Sequence, residues 1–282
     1  IRDPLWSRGL GDVYKRQQPK KVNLNIWITV SYLQKNTIFI YRFMTDLLFN
    51  QDSYLKETEA SIIGVEENII QLDRTIFYAE SGGQPGDQGE IVLKDQVLKV
   101  VDTKKGSKPN EILHIVDGPI DQSLINQSAE LKINWELRHA HMKMHSSCHI
   151  LCSLVDALIT GASVGSAKSR IDFDVDPSML NKEELNEKIR DIISKDYPII
   201  INQITGDELK SNPHLAKGAA VSPPVIDNKV QTVQIGEGEN IIDLQCCGGT
   251  HCQSTKEIGP LEIGKIENKG KRNRRINIRF SS

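Results

Sequence analysis

Two ligand-type doublets, far apart in the chain, constrain this sequence more than anything else in it. His145-Ser146-Ser147-Cys148-His149 sets two imidazoles four positions apart, and Cys247-Gly248-Gly249-Thr250-His251 sets a thiol and an imidazole at the same spacing. Four residues is close to one helical turn, so His145 and His149 are expected on one helix face with their nitrogens free to converge. Imidazole and thiolate together suit zinc, and such a site needs ligands from separate elements to close around the ion. The fold must therefore carry a helix and a distant loop to the same point.

The first 43 residues read as foreign to that fold. Residues 1–17, IRDPLWSRGLGDVYKRQ, resemble the translation of an adaptor used in transposase-based DNA sequencing, and residues 18–43 read as translated upstream sequence. The segment 1–43 is therefore expected to be a non-native leader, with Met44 as the natural start. Its apolar run from Trp27 to Phe43 is broken by Lys35 and falls short of the ~20 residues a membrane span needs. Tyr41-Arg42-Phe43 is no signal-peptide cleavage site. Setting the leader aside changes the charge balance. Eight of the 35 Lys and Arg and two of the 37 Asp and Glu lie in 1–43, which leaves 27 basic and 35 acidic residues and a net charge of −8. No bulk attraction to nucleic acid is visible, so any such contact must be local. Five cysteines (Cys148, Cys152, Cys246, Cys247 and Cys252) stand beside candidate ligands. An odd number so placed fits metal binding in a reducing, cytoplasmic setting better than a disulfide framework.

From Glu57 to Asn134 the pattern is short and extended. Segments beginning at Ser61, Ile69, Glu90, Val97, Ile112 and Glu130 read as strands between turn-forming clusters, which predicts a small antiparallel barrel over 44–135. A helix is expected from Glu136 to Ile159, capped by Gly161, with Leu137, Met144, Cys148, Leu151, Val155 and Leu158 as its apolar stripe. A second helix is expected from Asn181 to Asp196, with Asn181 as N-cap and Glu184 three positions on. Pro198–Ile204, Lys229–Ile235, Gly264–Asn268 and Arg275–Phe280 read as strands. The predicted class is α+β: a β-barrel domain over 44–135, then a domain over 136–282 with helices packed on an antiparallel sheet.

Three segments together resemble one family. Arg138-His-Ala-His-Met-Lys-Met-His145-Ser-Ser-Cys-His149 is similar to the first zinc motif of the alanyl-tRNA synthetase editing domain and its free-standing relatives. Asp243-Leu-Gln-Cys-Cys247-Gly-Gly-Thr-His251 is similar to the second. Phe77-Tyr-Ala-Glu-Ser-Gly-Gly-Gln-Pro-Gly-Asp-Gln-Gly89 resembles the glycine-rich motif of the preceding domain. The resemblance is to the free-standing alanyl-tRNA editing proteins of the medium-length AlaX type, and it covers Met44 to Ser282. There are departures: Ser146 stands where threonine is usual, and Cys246 where proline is common. Cys246 and Cys252 thus compete with Cys247 for the thiolate role, although Cys247 alone keeps the three-residue gap to His251.

The resemblance implies a zinc-dependent deacylase that removes a wrongly attached amino acid, chiefly serine, from tRNA(Ala) in trans. One zinc per chain is expected on His145, His149, Cys247 and His251, with a zinc-held water as nucleophile and one ligand, His251 or His149, bound weakly. No Ser-His-Asp set is recognisable, which argues against a covalent intermediate. His141, Ser146 and Gln84 are candidates to recognise the serine hydroxyl. The glycine-rich segment lacks the Gly-Lys-Ser/Thr ending of a phosphate loop and reads either as a tight turn at the barrel rim or as a substrate element. The only dense basic cluster, Lys265, Lys269, Lys271, Arg272, Arg274 and Arg275, is expected to touch the tRNA acceptor end. Monomer and homodimer are both compatible with the sequence, and no membrane contact is expected. The rival readings are a fragment of a full alanyl-tRNA synthetase and a non-catalytic, zinc-stabilised tRNA-binding module.

Overall fold

The short alternating segments after Met44 close on themselves. In the computed structural model, which describes residues 44–216, 218 and 228–281, they form β1 (Asp46–Leu47), β2 (Glu57–Glu66), β3 (Ile69–Leu72), β4 (Arg74–Thr75), β5 (Gly89–Val92), β6 (Val97–Lys105), β7 (Ile112–Val116) and β8 (Ser128–Ile133). The expected leader, 1–43, lies outside the described residues. Six of these strands make a closed antiparallel barrel in the order β2-β3-β7-β6-β5-β8, while the two-residue β1 pairs in parallel with β4 at the rim. The barrel is filled by the inward set of each alternation, including Ile62, Ile70, Leu72, Ile91, Val100 and Leu131, all fully buried. Closure leaves the barrel sheet itself without an open edge.

Among the polar residues buried in this domain is a histidine on β7. His114 is fully buried, with Nδ1 3.0 Å from the Ile70 carbonyl oxygen and Nε2 2.8 Å from the Thr75 hydroxyl. The carbonyl can only accept, so Nδ1 carries the proton and the hydroxyl donates to Nε2. Burial pushes the His114 pKa from 6.5 down to about 4. Between those values the unfolded chain binds a proton that the barrel refuses. The stability from this residue is therefore complete above pH 6.5 and is lost as pH falls towards 4, by about 3 kcal/mol. Urea unfolding of the parent and of His114→Gln at pH 7 and at pH 4.5 checks this. The variant is expected to lose less stability on acidification than the parent, and equal losses would contradict it.

After the barrel come helix α1 (Trp135–Leu154), β9 (Leu158–Ser163), β10 (Lys168–Asp174), helix α2 (Lys182–Ser194), β11 (Ile199–Thr205), helix α3 (Gly206–Ser211), β12 (Lys229–Ile235), β13 (Asp243–Cys246), β14 (Leu261–Asn268) and β15 (Asn273–Phe280). They form two antiparallel sheets, β14-β15-β10-β9 and β11-β12-β13. Helix α1 packs against β10 and β15 of the first sheet, β13 of the second, and α2. With neighbours on so many sides, even its polar residues are buried: His141, His145, Ser146, Ser147 and His149 all lie within the core. Among the described residues no helix is long and apolar enough to cross a membrane.

The α+β class and the six barrel strands match expectation. The first helix does not run to Ile159. It starts with Asn134 as N-cap, whose side chain accepts from the Leu137 amide, and stops at Leu154, where Val155 turns extended. Leu158 to Ser163 instead pairs with β10, and Gly161, expected as a cap, lies mid-strand opposite Asp172. Leu158 is half exposed there, and the strand satisfies the segment's backbone through the β10 ladder. The second helix is as expected, with the Asn181 side chain accepting from the Glu183 and Glu184 amides.

Candidate metal centre

Helix α1 and the loop after β13 bring the two doublets together. One ligand atom from each of His145, His149, Cys247 and His251 lies within 4.8 Å of all the others. Cys247 Sγ is 3.4 Å from His145 Nε2 and 3.7 Å from His251 Nε2. The approach depends on Gly249. A Cβ there would stand 2.1 Å from His145 Cε1, so any side chain would drive the loop off the helix.

The imidazoles are aimed from behind. His145 Nδ1 lies 2.8 Å from Gln84 Oε1, and the Thr250 amide donates to the same oxygen at 3.2 Å while Gln84 Nε2 donates to the Thr250 hydroxyl at 2.9 Å. Since the Thr250 amide can only donate, Oε1 is the acceptor. His145 therefore carries its proton on Nδ1 and turns the Nε2 lone pair to the cluster. His149 is set in the same way, with Nδ1 2.9 Å from Asp243 Oδ2, which also accepts from Gln245 Nε2 at 2.8 Å. His251 Nδ1 is buried and has no partner among the described residues.

The charge states agree with a ligand set. Burial works against a thiolate at Cys247, but the neighbouring imidazoles, His145 foremost, outweigh it and hold the thiol well below its ordinary value of 9.0. Burial pushes His251 down to about 4, which leaves it neutral. At His149 burial opposes a charge, yet the carboxylate of Asp243 and the sulfur of Cys247 raise the value to about 9, so a proton sits where a metal ion would compete for the lone pair. Burial holds Cys252 up at about 12, and raises Cys246 with the help of its neighbour Cys247. Neither joins the four-residue cluster, in which Cys247 is the thiol. Three buried imidazoles converging on one half-buried thiolate fit zinc.

Gln84 thus supports His145 from behind and does not line the neighbouring cavity. Gln84→Ala is expected to weaken zinc binding about 10–100-fold. Gln84→Glu keeps an oxygen opposite His145 Nδ1 and should recover most of the loss. Competition with a metal chelator reads both, and no recovery by the glutamate would contradict the role.

A second gathering of donors, His139, Cys252 and Glu257, is already engaged. Glu257 accepts from the Tyr54 hydroxyl, faces His139 Nε2 at 2.5 Å and takes the Gln253 amide at 3.1 Å. This knot ties the segment before the barrel to α1 and to the loop that carries His251. A second tie is the buried pair of Arg138 and Asp87. The guanidinium holds both carboxylate oxygens and donates to the Ile76 and Ser53 carbonyls, while Asp87 also accepts the Tyr78 amide at 2.7 Å. Reading the sequence finds the glycine-rich segment but not this clamp, because nothing near Asp87 in the chain announces a partner on a distant helix.

A cavity of about 220 Å³ opens beside the cluster. Its walls include Ile159, Ala162, Ile171, Cys148 and Cys152, with Tyr78, Ser81 and Gly82 from the barrel rim and Gln245 and Gly248 from the ligand loop. None of the three expected hydroxyl-recognising residues lines it. Gln84 is spent on His145, the Ser146 hydroxyl accepts the Cys252 amide at 3.1 Å, and His141 is buried with Nδ1 unpartnered among the described residues. Polar residues that line the cavity include Ser81, Gln245 and Tyr78, besides the cluster itself, and the Tyr78 hydroxyl donates to the Ser81 carbonyl.

The basic cluster is largely neutralised. Arg275 grips both oxygens of Asp172, Arg272 pairs with Asp174 and Lys269 with Glu267. Arg274 is 8% exposed and closes the β14–β15 turn through the Gly270 and Asn273 carbonyls and Asn268. That leaves Lys265 and Lys271 as the exposed members of the set in no ion pair among the described residues.

Comparison with known proteins agrees with this layout. The family model described as tRNA synthetases class II (A) matches residues 15–137, reaching back into the segment read as leader. The model of the threonyl and alanyl tRNA synthetase second additional domain matches residues 230–277. The chain is 33% identical over 247 residues to the alanyl-tRNA editing protein AlaX-M of Methanosarcina barkeri, covering 83% of this chain and 98% of that protein. It is 35% identical over 243 residues to AlaX-M of Saccharolobus solfataricus, with the same coverage of 83% and 98%. It is also 33% identical over 239 residues to the alanine–tRNA ligase of Methanobrevibacter smithii, covering 79% of this chain and 25% of that protein.

Proposed function

The chain belongs to the alanyl-tRNA editing proteins, and on that footing we propose that it is a zinc-dependent deacylase acting in trans on mischarged tRNA(Ala), chiefly Ser-tRNA(Ala), in the cytoplasm. The observation that carries this reading is the convergence of three buried imidazoles, His145, His149 and His251, on the half-buried Cys247 beside a small, mostly apolar cavity. The bond to be cut is the ester between the amino acid and the terminal ribose. An ester is already activated, so the protein need mainly position it, bring water to the carbonyl and favour the charge that develops on oxygen.

When bound, zinc would supply Lewis acidity for polarising the carbonyl or lowering the pKa of water. The chain's own residues do the rest. Gln84 and Asp243 lock the tautomers of His145 and His149. Ile159, Ala162 and Ile171 keep the amino-acid end dry and small. Gln245, whose amide nitrogen is held by Asp243, leaves its oxygen to accept from a substrate hydroxyl, and Ser81 stands across the same cavity. With alanine bound, such a partner is left unsatisfied at a cost of about 1–3 kcal/mol, or roughly 10–100-fold in rate.

Hydrolysis of seryl-, glycyl- and alanyl-tRNA(Ala) by the full chain tests the reading. The expected order places seryl-tRNA at least about tenfold above alanyl-tRNA in kcat/KM. Zinc and tRNA binding without hydrolysis of any of the three would instead identify a non-catalytic binding module.

A further inference from the structure

A second cavity, of about 230 Å³, lies on the other side of the rim that bounds the first, and the two share Tyr78, Ser81 and Gly248. One wall comes from the barrel side, through Leu47, Phe49, Ala79 and Lys105, and the other from the three-stranded sheet, through Gln203, Lys229 and Gln231. The sheet residues face it together by register: Gln231 stands opposite Gln203, and Lys229 is two residues from Gln231 on the same face of β12. The floor is apolar and carries an aromatic edge, since Phe49 packs against Tyr78 with ring centroids 5.5 Å apart. Among the described residues, no acidic side chain lines the cavity.

The two lysines differ from the basic residues of β14 and β15. Lys105 Nζ donates to the Ser81 hydroxyl at 2.7 Å, and neither Lys105 nor Lys229 is in an ion pair among the described residues. Two cations thus line one acid-free cavity, in a chain whose residues from Met44 on carry a net charge of −8. An apolar floor with two such ammonium groups above it matches one chemical class, a nucleoside bearing a phosphate.

We propose that this cavity seats the 3′-terminal adenylate of the tRNA, with the base on the Phe49 and Ala79 floor and its phosphate between Lys105 and Lys229. The ester then crosses the shared rim at Ser81 and Gly248, and the amino acid enters the first cavity beside His145 and Cys247. This assignment rests on the deacylase reading for its choice of nucleotide. It gives the glycine-rich segment a role that its sequence leaves open: the turn at Ser81–Gln84 is the divider between the two compartments, with Gly82 and Gly83 at φ 58° and 84° allowing the chain to fold back there.

The test uses the full zinc-loaded protein and uncharged tRNA(Ala), with and without its terminal adenosine, titrated at several salt concentrations, with free AMP as a competitor. The parent is expected to bind on the order of 10–100-fold more weakly when the terminal adenosine is removed. In a Lys105→Gln, Lys229→Gln double variant that difference should shrink to a few-fold. The slope of log affinity against log salt should fall by about 0.7, because one phosphate is no longer neutralised by the protein. Zinc content should be unchanged, because neither lysine touches the cluster. A parent indifferent to the terminal adenosine, or a double variant as sensitive to it as the parent, overturns the proposal. AMP competition equal in parent and variant places free nucleotide elsewhere and also overturns it. Binding of uncharged tRNA is independent of turnover, so absence of hydrolysis would sink the deacylase reading and leave this result interpretable.

Discussion

Cys247→Ser is expected to lower kcat/KM for seryl-tRNA(Ala) by on the order of 10³-fold, about 4 kcal/mol of barrier, and to remove most of the bound zinc. Cys247 is the only thiol in the cluster, held as a thiolate within 3.4 Å of His145 Nε2 and 3.7 Å of His251 Nε2. Serine is smaller, and its hydroxyl stays protonated at neutral pH, so it offers neither the reach nor the charge. Cys246→Ser, one residue away, should stay within about threefold of the parent. That side chain lies against the cavity but outside the cluster. Zinc content by plasma emission, measured beside the rates, separates a ligand from a cavity wall. If Cys246→Ser loses the metal and Cys247→Ser keeps it, the ligand assignment is wrong.

The second large effect belongs to Asp87. Removing one partner of its pair with Arg138 leaves a charge stranded where both side chains are almost fully buried, which costs about 3–5 kcal/mol. Asp87→Ala should therefore lower the urea midpoint sharply. The pair also anchors the glycine-rich segment to α1, three residues downstream of Gln84. Zinc affinity should consequently fall in the same variant even where it remains folded. An Asp87→Leu, Arg138→Met double variant removes both charges and should be more stable than Asp87→Ala alone. A double variant as unstable as the single would show that shape rather than stranded charge sets the cost.

The sequence makes some of this legible and hides the rest for identifiable reasons. The barrel strands are legible because one face of each is buried and the other wet, which writes a period of two between turn-forming clusters. The metal doublets are legible because a helical turn and a tight loop both fix a four-residue spacing. The end of α1 is hidden: Leu151, Val155 and Leu158 satisfy helical spacing, and only the ladder with β10 shows that the last of them belongs to a strand. The ion pairs of the basic residues near the C-terminus are hidden for a related reason. Their neutralising partners, Asp172 and Asp174, lie about a hundred positions earlier and are brought alongside only by the β10–β15 register. The contacts of Gln84 are hidden because its two partners, His145 and Thr250, come from elements that the sequence alone does not dock. Lys105 and Lys229 carry no motif at all, and they become a pair only when the barrel rim meets β12.

The most direct test of the central claim is to strip the full chain of metal, measure Ser-tRNA(Ala) hydrolysis, and return zinc in stoichiometric steps. The predicted result is that hydrolysis disappears with the metal and returns in proportion to zinc, with a break at one equivalent per chain. His145→Ala, treated in the same way, should stay inactive at that stoichiometry. A metal-free protein that hydrolyses the ester as fast as the reloaded one would contradict the account, and the four convergent residues would then be a structural knot beside an active site that works without them.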